Sequence, residues 1–282
     1  MINSSYIRHL AGVHEVDMKR QEMRFIGVTK DATTAGPGKR LELFLKGCIR
    51  GIVNPCEGCF NPATWEFGGL RRDMKVDEVV YMLERDAWNL QITFCGGEPL
   101  LQTRNLIKVC TELKRRNPRF HIVVYTAYVL ENLLKNGITY RIRNVDEEPV
   151  KETLLAYSED WNDEQDRFTI ATPDQIKELM SVIDLLVDGD YQAKHRIPTE
   201  KYMNEGMFVG SSNQRVFDTQ ATLKENSFIF LHADEWMEEH LRLKHCKCCG
   251  HGLEDQRRTF CDSTCSKLYR KRDKAMAKMG GA

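Results

Sequence analysis

Along the first half of the chain, short apolar runs alternate with segments whose apolar residues recur at helical spacing. Leu41, Leu43 and Leu45 repeat every second residue, as in a strand, and Phe44 makes the run largely apolar, which predicts a central strand. Val76, Val79, Val80, Leu83 and Ala87 then mark one face of a helix. Residues 89–94 read as a second strand, followed by a tight turn at Cys95-Gly-Gly-Glu-Pro-Leu100. Leu106, Ile107, Cys110 and Leu113 mark the next helix, which should stop before Pro118. Residues 120–126 predict a third strand and residues 128–135 a short helix ended by Gly137. After an interval, Thr172 can cap a helix that opens with Pro173, and Gln175 completes a capping box. Ile176, Leu179, Met180 and Ile183 give that helix its buried face, and residues 185–187 form a fourth core strand. A shorter strand is expected at 25–28, with a turn over 31–38, and beyond a mixed loop lie 210–216 and the apolar stretch 228–231. Strands alternating with helices predict an α/β fold with mainly parallel pairing, in which functional loops lie beyond the C-terminal ends of the strands. The domain reading is an N-terminal extension over 1–21, a core over 22–225 and a C-terminal segment over 226–282. Within the core, 138–171 is acidic, without sustained period, and reads as an insertion that is partly helical near 152–157.

Composition narrows the setting. The 282 residues are 41% hydrophobic and 29% charged, as in an ordinary soluble protein, and 41 basic residues balance 41 acidic ones. Charge therefore points to neither nucleic acid nor a membrane as partner, and the apolar runs are too short to span a bilayer. The N-terminus lacks the order of a secretory signal, so a reducing cytoplasm is the expected location. There, 10 cysteines are better read as metal ligands than as a disulfide framework.

The cysteines fall into two groups. Cys48, Cys56 and Cys59 occupy the loop after the Leu41 strand, while Cys246, Cys248, Cys249, Cys261 and Cys265 lie near the other end. Cys95 and Cys110 stand apart and read as small core residues. An iron–sulfur cluster of the four-iron type normally takes four thiolates, so three in one loop leave an iron free to hold a substrate or cofactor. A zinc site is the alternative, but the loop offers no histidine and no evident fourth ligand.

The three-cysteine loop and Gly96-Gly-Glu-Pro99, each after a strand, resemble the radical S-adenosylmethionine enzymes. Cys56-Glu-Gly-Cys-Phe-Asn-Pro62, Thr64-Trp65, Leu185-Leu-Val-Asp-Gly189 and Gly210-Ser-Ser-Asn-Gln-Arg215 resemble more closely the activating proteins of anaerobic ribonucleoside-triphosphate reductases. The likeness covers roughly 22–222. It departs from that family in the seven residues between Cys48 and Cys56, where three are usual, and in Ala127, where glycine is common.

The resemblance implies a partial (β/α) barrel whose 4Fe-4S cluster is held by Cys48, Cys56 and Cys59. It further implies that S-adenosylmethionine is cleaved reductively and that the resulting radical removes hydrogen from a glycine of the reductase large subunit. A low-potential donor such as flavodoxin would supply the electron. Cofactor contacts are expected from Phe60, Asn61, Gly96, Gly97, Glu98, Thr126 and Asp188, with Ser211, Asn213 and Arg215 shaping the rim or binding the partner.

At the C-terminus, Cys246 and Cys249 are two residues apart, Cys261 and Cys265 three, and eleven residues separate the pairs. This spacing resembles a zinc ribbon with a closed, structural four-thiolate site and leaves Cys248 spare; a second iron–sulfur cluster is the alternative. The basic stretch 267–272 suits docking to a reductase or, less readily, contact with a phosphate backbone. Two other functions stay open: a radical enzyme acting on a small molecule or peptide, and a non-catalytic module binding metal and nucleic acid.

Overall fold

The computed structural model describes residues 21–141, 154, 157–162, 167–201, 207–232, 235, 238–239 and 242–279. The expected N-terminal extension and most of the helix expected near 152–157 lie outside the described residues.

The chain opens with β1 (Glu22–Ala32) and β2 (Arg40–Leu45), passes a five-residue helix α1 (Ile49–Val53), and continues through β3 (Arg72–Lys75), α2 (Val76–Asp86), β4 (Gln91–Gly96), α3 (Thr103–Arg116) and β5 (His121–Tyr125). Next come α4 (Leu130–Asn136), β6 (Ile138–Arg141), β7 (Asp160–Asn162), β8 (Arg167–Ala171), α5 (Pro173–Val182) and β9 (Leu185–Asp188). The described elements close with β10 (Arg215–Asp218), α6 (Thr219–Glu225), β11 (Phe230–His232) and α7 (Ser263–Met279). Thr172 caps α5 through the reciprocal bonds with Gln175 that the sequence predicts, and Gly137, at positive φ, ends α4.

The main sheet runs β11-β10-β9-β5-β4-β2-β1-β3 and is open, with β3 and β11 at its edges. Its four central strands, β2, β4, β5 and β9, are parallel. The flanking pairs β1–β2, β1–β3, β9–β10 and β10–β11 are antiparallel, which strand–helix alternation did not predict. The bend at 33–39 between β1 and β2 is too short for a parallel crossover, so the second strand has to turn back beside the first. β1 also extends well beyond the expected 25–28. β6, β8 and β7 make a separate antiparallel sheet, all within 138–171.

Pleating divides the side chains of the central strands between two environments. Leu41, Leu43, Leu45, Ile92, Phe94, Ile122 and Val124 point into the main core, covered by α2, α3 and α5. Arg40, Glu42, Phe44, Thr93, Cys95 and Tyr125 take the alternate positions. That second face is covered in part by Ile197, Met207, Phe208 and Val209, and between these it leaves a cavity.

Candidate metal and cofactor site

The cavity measures about 470 Å³ and opens at the C-terminal ends of the parallel strands. Cys48, Cys56, Cys59, Phe60, Asn61, Gly96, Gly97 and Thr126 all line it, so seven residues of the first motif and the glycine turn come together there with the residue after β5.

The lengthened loop is folded rather than slack. Cys48 is the N-cap of α1, its Sγ accepting the Gly51 amide at 3.2 Å. Its own amide donates to Trp65 O at 3.0 Å, and the Gly47 amide donates to Thr64 O at 2.8 Å. Gly51 lies flat against Trp65, where a Cβ would come within 2.4 Å of the indole. The extra residues thus form a helical turn seated on Thr64-Trp65.

Electrostatics around Cys48 keep the free thiol protonated. Burial pushes the Cys48 thiol up to about 12, with Glu98 and the neighbouring cysteines adding to it, so this sulfur keeps its proton until a cation displaces it. Arg50 pairs with Asp190 at 2.5 Å, and although burial works against its charge, Cys56 and Asp190 hold it above its ordinary value. Its Nε is buried without a partner, a donor left over beside thiols that would become anionic on binding iron. These residues fit an iron–sulfur group.

The glycine turn is built for close approach. Gly96 has φ +103, and a Cβ on Gly97 would stand 2.3 Å from Gly47 O. The Gly97 amide donates to Leu45 O and the Glu98 amide to Gly47 O, fixing the turn against the cysteine loop.

Glu98 and Asp188 stand behind the cavity wall. Glu98 accepts from Thr126 Oγ1 at 2.9 Å, Leu100 N at 3.0 Å and Ala127 N at 2.9 Å, binding the turn after β4 to the loop after β5. Burial raises it to about 7 against the pull of those three donors. Asp188 accepts from Leu130 N at 2.8 Å and from Arg215, which also grips Glu131. It too is raised by burial, with Arg215 opposing. Both carboxylates hold together the loops that carry the cavity-lining residues.

At the mouth, Phe60 is 53% exposed and packs at a tilt against Tyr191 with centroids 4.8 Å apart, and the Arg196 guanidinium lies over its ring. Ser211 is buried and accepts the Gln192 amide, while Asn213 donates to Asp190 O. Gln214 ties Gly210 and Ser211 to Gly189 and lines the cavity. Glu42, Cys95, Tyr125, Tyr191 and Arg196 also line it. Cys95 is buried as expected of a core residue, yet it faces this space. Strand alternation could have flagged Glu42, the one charged residue within the apolar Leu41–Leu45 run, whereas Tyr191 and Arg196 carry no sequence signal. Cys110 packs fully in the core.

The second cysteine group lies at the other end of the parallel strands. The sulfurs of Cys246, Cys249, Cys261 and Cys265 come within 4.8 Å of one another, and the Cys248 carbonyl accepts from Asn89 instead. The knuckle sits on the bend before β2 and the starts of β4 and β5. Gly250 packs on Gly38, His251 on His121, Tyr269 on Trp88, and Arg119 pairs with Asp262 at 2.8 Å. Four converging, largely buried thiols fit one metal ion.

A family profile described as "4Fe-4S single cluster domain" matches residues 34–217, so the chain belongs to this family. Among curated proteins, the chain is similar to the pyruvate formate-lyase-activating enzymes of Staphylococcus aureus strains USA300 and NCTC 8325 / PS 47. Identity is 41% over 87 residues, covering 29% of this chain and 33% of each relative. The chain thus spans about a third of the length of the curated relatives it matches. Among the described residues, no helix is long and apolar enough to cross a membrane.

Proposed function

We propose that this chain is a radical S-adenosylmethionine activase that places a glycyl radical on a partner enzyme. The observation that carries the reading is the convergence of three thiols, the glycine turn and an open cavity at one end of the parallel strands. Family membership and the similarity to activating enzymes of pyruvate formate-lyase support it. When bound, a reduced 4Fe-4S cluster would supply the electron that splits S-adenosylmethionine, and the radical released would take hydrogen from the partner's glycine.

In this reading Cys48, Cys56 and Cys59 hold the cluster, and the donor-rich Arg50 offsets its negative charge. Gly96 and Gly97 let the backbone approach the cofactor, with Thr126, Phe60 and Asn61 as neighbours. Glu98 and Asp188 act from behind the wall by holding those loops in place. Burial of Cys48 and the packed α1 turn would exclude water from the Cys48 side of a bound cluster. The C-terminal knuckle would hold zinc as a structural ion through Cys246, Cys249, Cys261 and Cys265, and a flavodoxin-like donor in the cytoplasm would supply the electron.

The proposed target is an anaerobic ribonucleotide reductase, supported by the motifs around Cys56, Asp188 and Gly210. Anaerobic reconstitution with iron and sulfide, followed by S-adenosylmethionine, dithionite and either reductase or pyruvate formate-lyase, tests this. A doublet glycyl signal with the reductase alone is expected. A signal with pyruvate formate-lyase alone would overturn the target, and cofactor cleavage with neither would point to a different substrate.

A further inference from the structure

The cavity lining extends beyond the residues assigned to the cofactor. Glu42 lies three residues before the end of β2, about 10 Å below the rim at ~3.3 Å per residue, yet its side chain still lines the same space. Among the described residues, the lining carries two charged side chains, Glu42 at depth and Arg196 at the mouth.

Among the described residues, Glu42 has no cationic partner. Its one polar partner among the described residues is the Cys95 thiol, which donates to Oε1 at 3.2 Å. Burial, with the Glu42 carboxylate beside it, keeps that thiol protonated and therefore a donor. Arg40, two residues away on the same face, is committed elsewhere: to Thr93 Oγ1, Gln91 Oε1, the carbonyls of Pro37, Ile92 and His121, and the His121 ring. Among the described residues, no hydrogen bond reaches Oε2 of Glu42, whose side chain lines the cavity. A half-buried carboxylate lacking a counter-charge is costly unless a ligand supplies one.

We propose that Glu42 is the specificity residue of the cavity and receives a cationic side chain, guanidinium or ammonium, from the peptide segment that carries the reacting glycine. The proposal rests on the activase reading for the glycine, and on Glu42 and Cys95 alone for the cation. Cys95 fixes the carboxylate by occupying Oε1, so that Oε2 meets the incoming donor. Phe60, Tyr191 and Arg196 frame the mouth through which the segment enters, and the positive charge of Arg196 there leaves the depth as the place for a cation.

The test is anaerobic calorimetry on cluster-loaded, full-length protein with two glycine-containing heptapeptides that differ only in arginine against citrulline. The arginine peptide should bind about tenfold more tightly, the scale of one hydrogen bond to a charged group. Glu42→Gln should abolish the difference while leaving S-adenosylmethionine affinity unchanged. Glu42→Asp, which keeps the charge at shorter reach, should retain part of it, and serves alone if the glutamine variant does not fold. Equal binding of the two peptides by the unaltered protein, or a preference that survives Glu42→Gln, overturns the proposal. So does a Glu42→Gln variant whose only defect is in S-adenosylmethionine binding, because Glu42 would then be a cofactor contact. A clear charge preference in a protein that yields no glycyl signal would sink the activase reading and leave this one standing; activation without any charge preference would do the reverse.

Discussion

The two cysteine sites use the same donor atom to opposite ends. At the C-terminal ends of β2 and β4, three thiols line an open cavity. At the N-terminal ends of the same strands, four thiols converge on one point in a knuckle packed against His121, Trp88 and the 33–39 bend. Burial acts on both. It pushes Cys48 up to about 12 and also raises Cys249, Cys261 and Cys265, while Cys246 is lowered despite burial by the backbone amides that point at it. An open site invites chemistry. A closed one, whose sulfurs are already hydrogen-bonded, holds structure. Beneath the knuckle, the fully buried Arg40, brought down to about 9 by burial, spends all its donors on neutral acceptors and makes that end of the sheet a rigid base.

The sharpest break of this comparison comes from removing one ligand at each end. Cys56→Ala should abolish the visible absorbance of the reconstituted cluster and all cleavage of S-adenosylmethionine, with little change in thermal unfolding. Retained cleavage would remove Cys56 from the ligand set. Cys261→Ser should do the converse: the metal measured by elemental analysis falls and stability drops by several kcal/mol, because structural metal binding is folding free energy, while the cluster spectrum persists. Equal damage to both sites from either change would mean that the two ends are coupled.

A smaller effect is expected from Glu98, the carboxylate that joins the turn after β4 to the loop after β5. Its value is raised from an ordinary 4.5 to about 7 by burial. A raised acid binds its proton more tightly when folded, so its stabilising contribution is complete below 4.5 and disappears as pH climbs through 7. The span is about 3 kcal/mol. Denaturant titrations from pH 4 to 8 should show this slope in the parent protein and not in Glu98→Gln; an unchanged slope would mean that another group carries it. Smaller again is Gly97→Ala, whose methyl meets Gly47 O at 2.3 Å. It should cost about 1–3 kcal/mol, as overpacking does, and weaken S-adenosylmethionine binding measured by calorimetry. Unchanged binding would show that the cofactor does not depend on that approach.

The parts of the fold that were readable in advance are those with a local signature. Alternation announced β2, the capping box announced α5 to the residue, and the spacing of Cys246, Cys249, Cys261 and Cys265 announced a four-sulfur site, because each depends on neighbours within a few positions. The antiparallel flanks were not readable, since pairing direction depends on connection length and on which edge is free. Glu98 and Asp188 were placed at the right strand ends, but their partners Thr126, Ala127, Leu130 and Arg215 are distant in sequence. Whether such a carboxylate meets a cofactor or a neighbouring loop is decided by the packing between those loops.

The sequence by itself determined the chemistry available: three thiols after a strand, two adjacent glycines after the next, and four thiols in zinc-ribbon order. Only the tertiary structure decided where that chemistry is aimed. Parallel pairing of β2, β4 and β5 brings the cysteine loop and the glycine turn to one end and leaves the knuckle at the other. The pleat that buries Leu41 and Leu43 turns Glu42 and Cys95 into the cavity. The reason is geometric: spacing along the chain sets which atoms a segment can offer, whereas direction across a sheet depends on register with strands dozens of residues away.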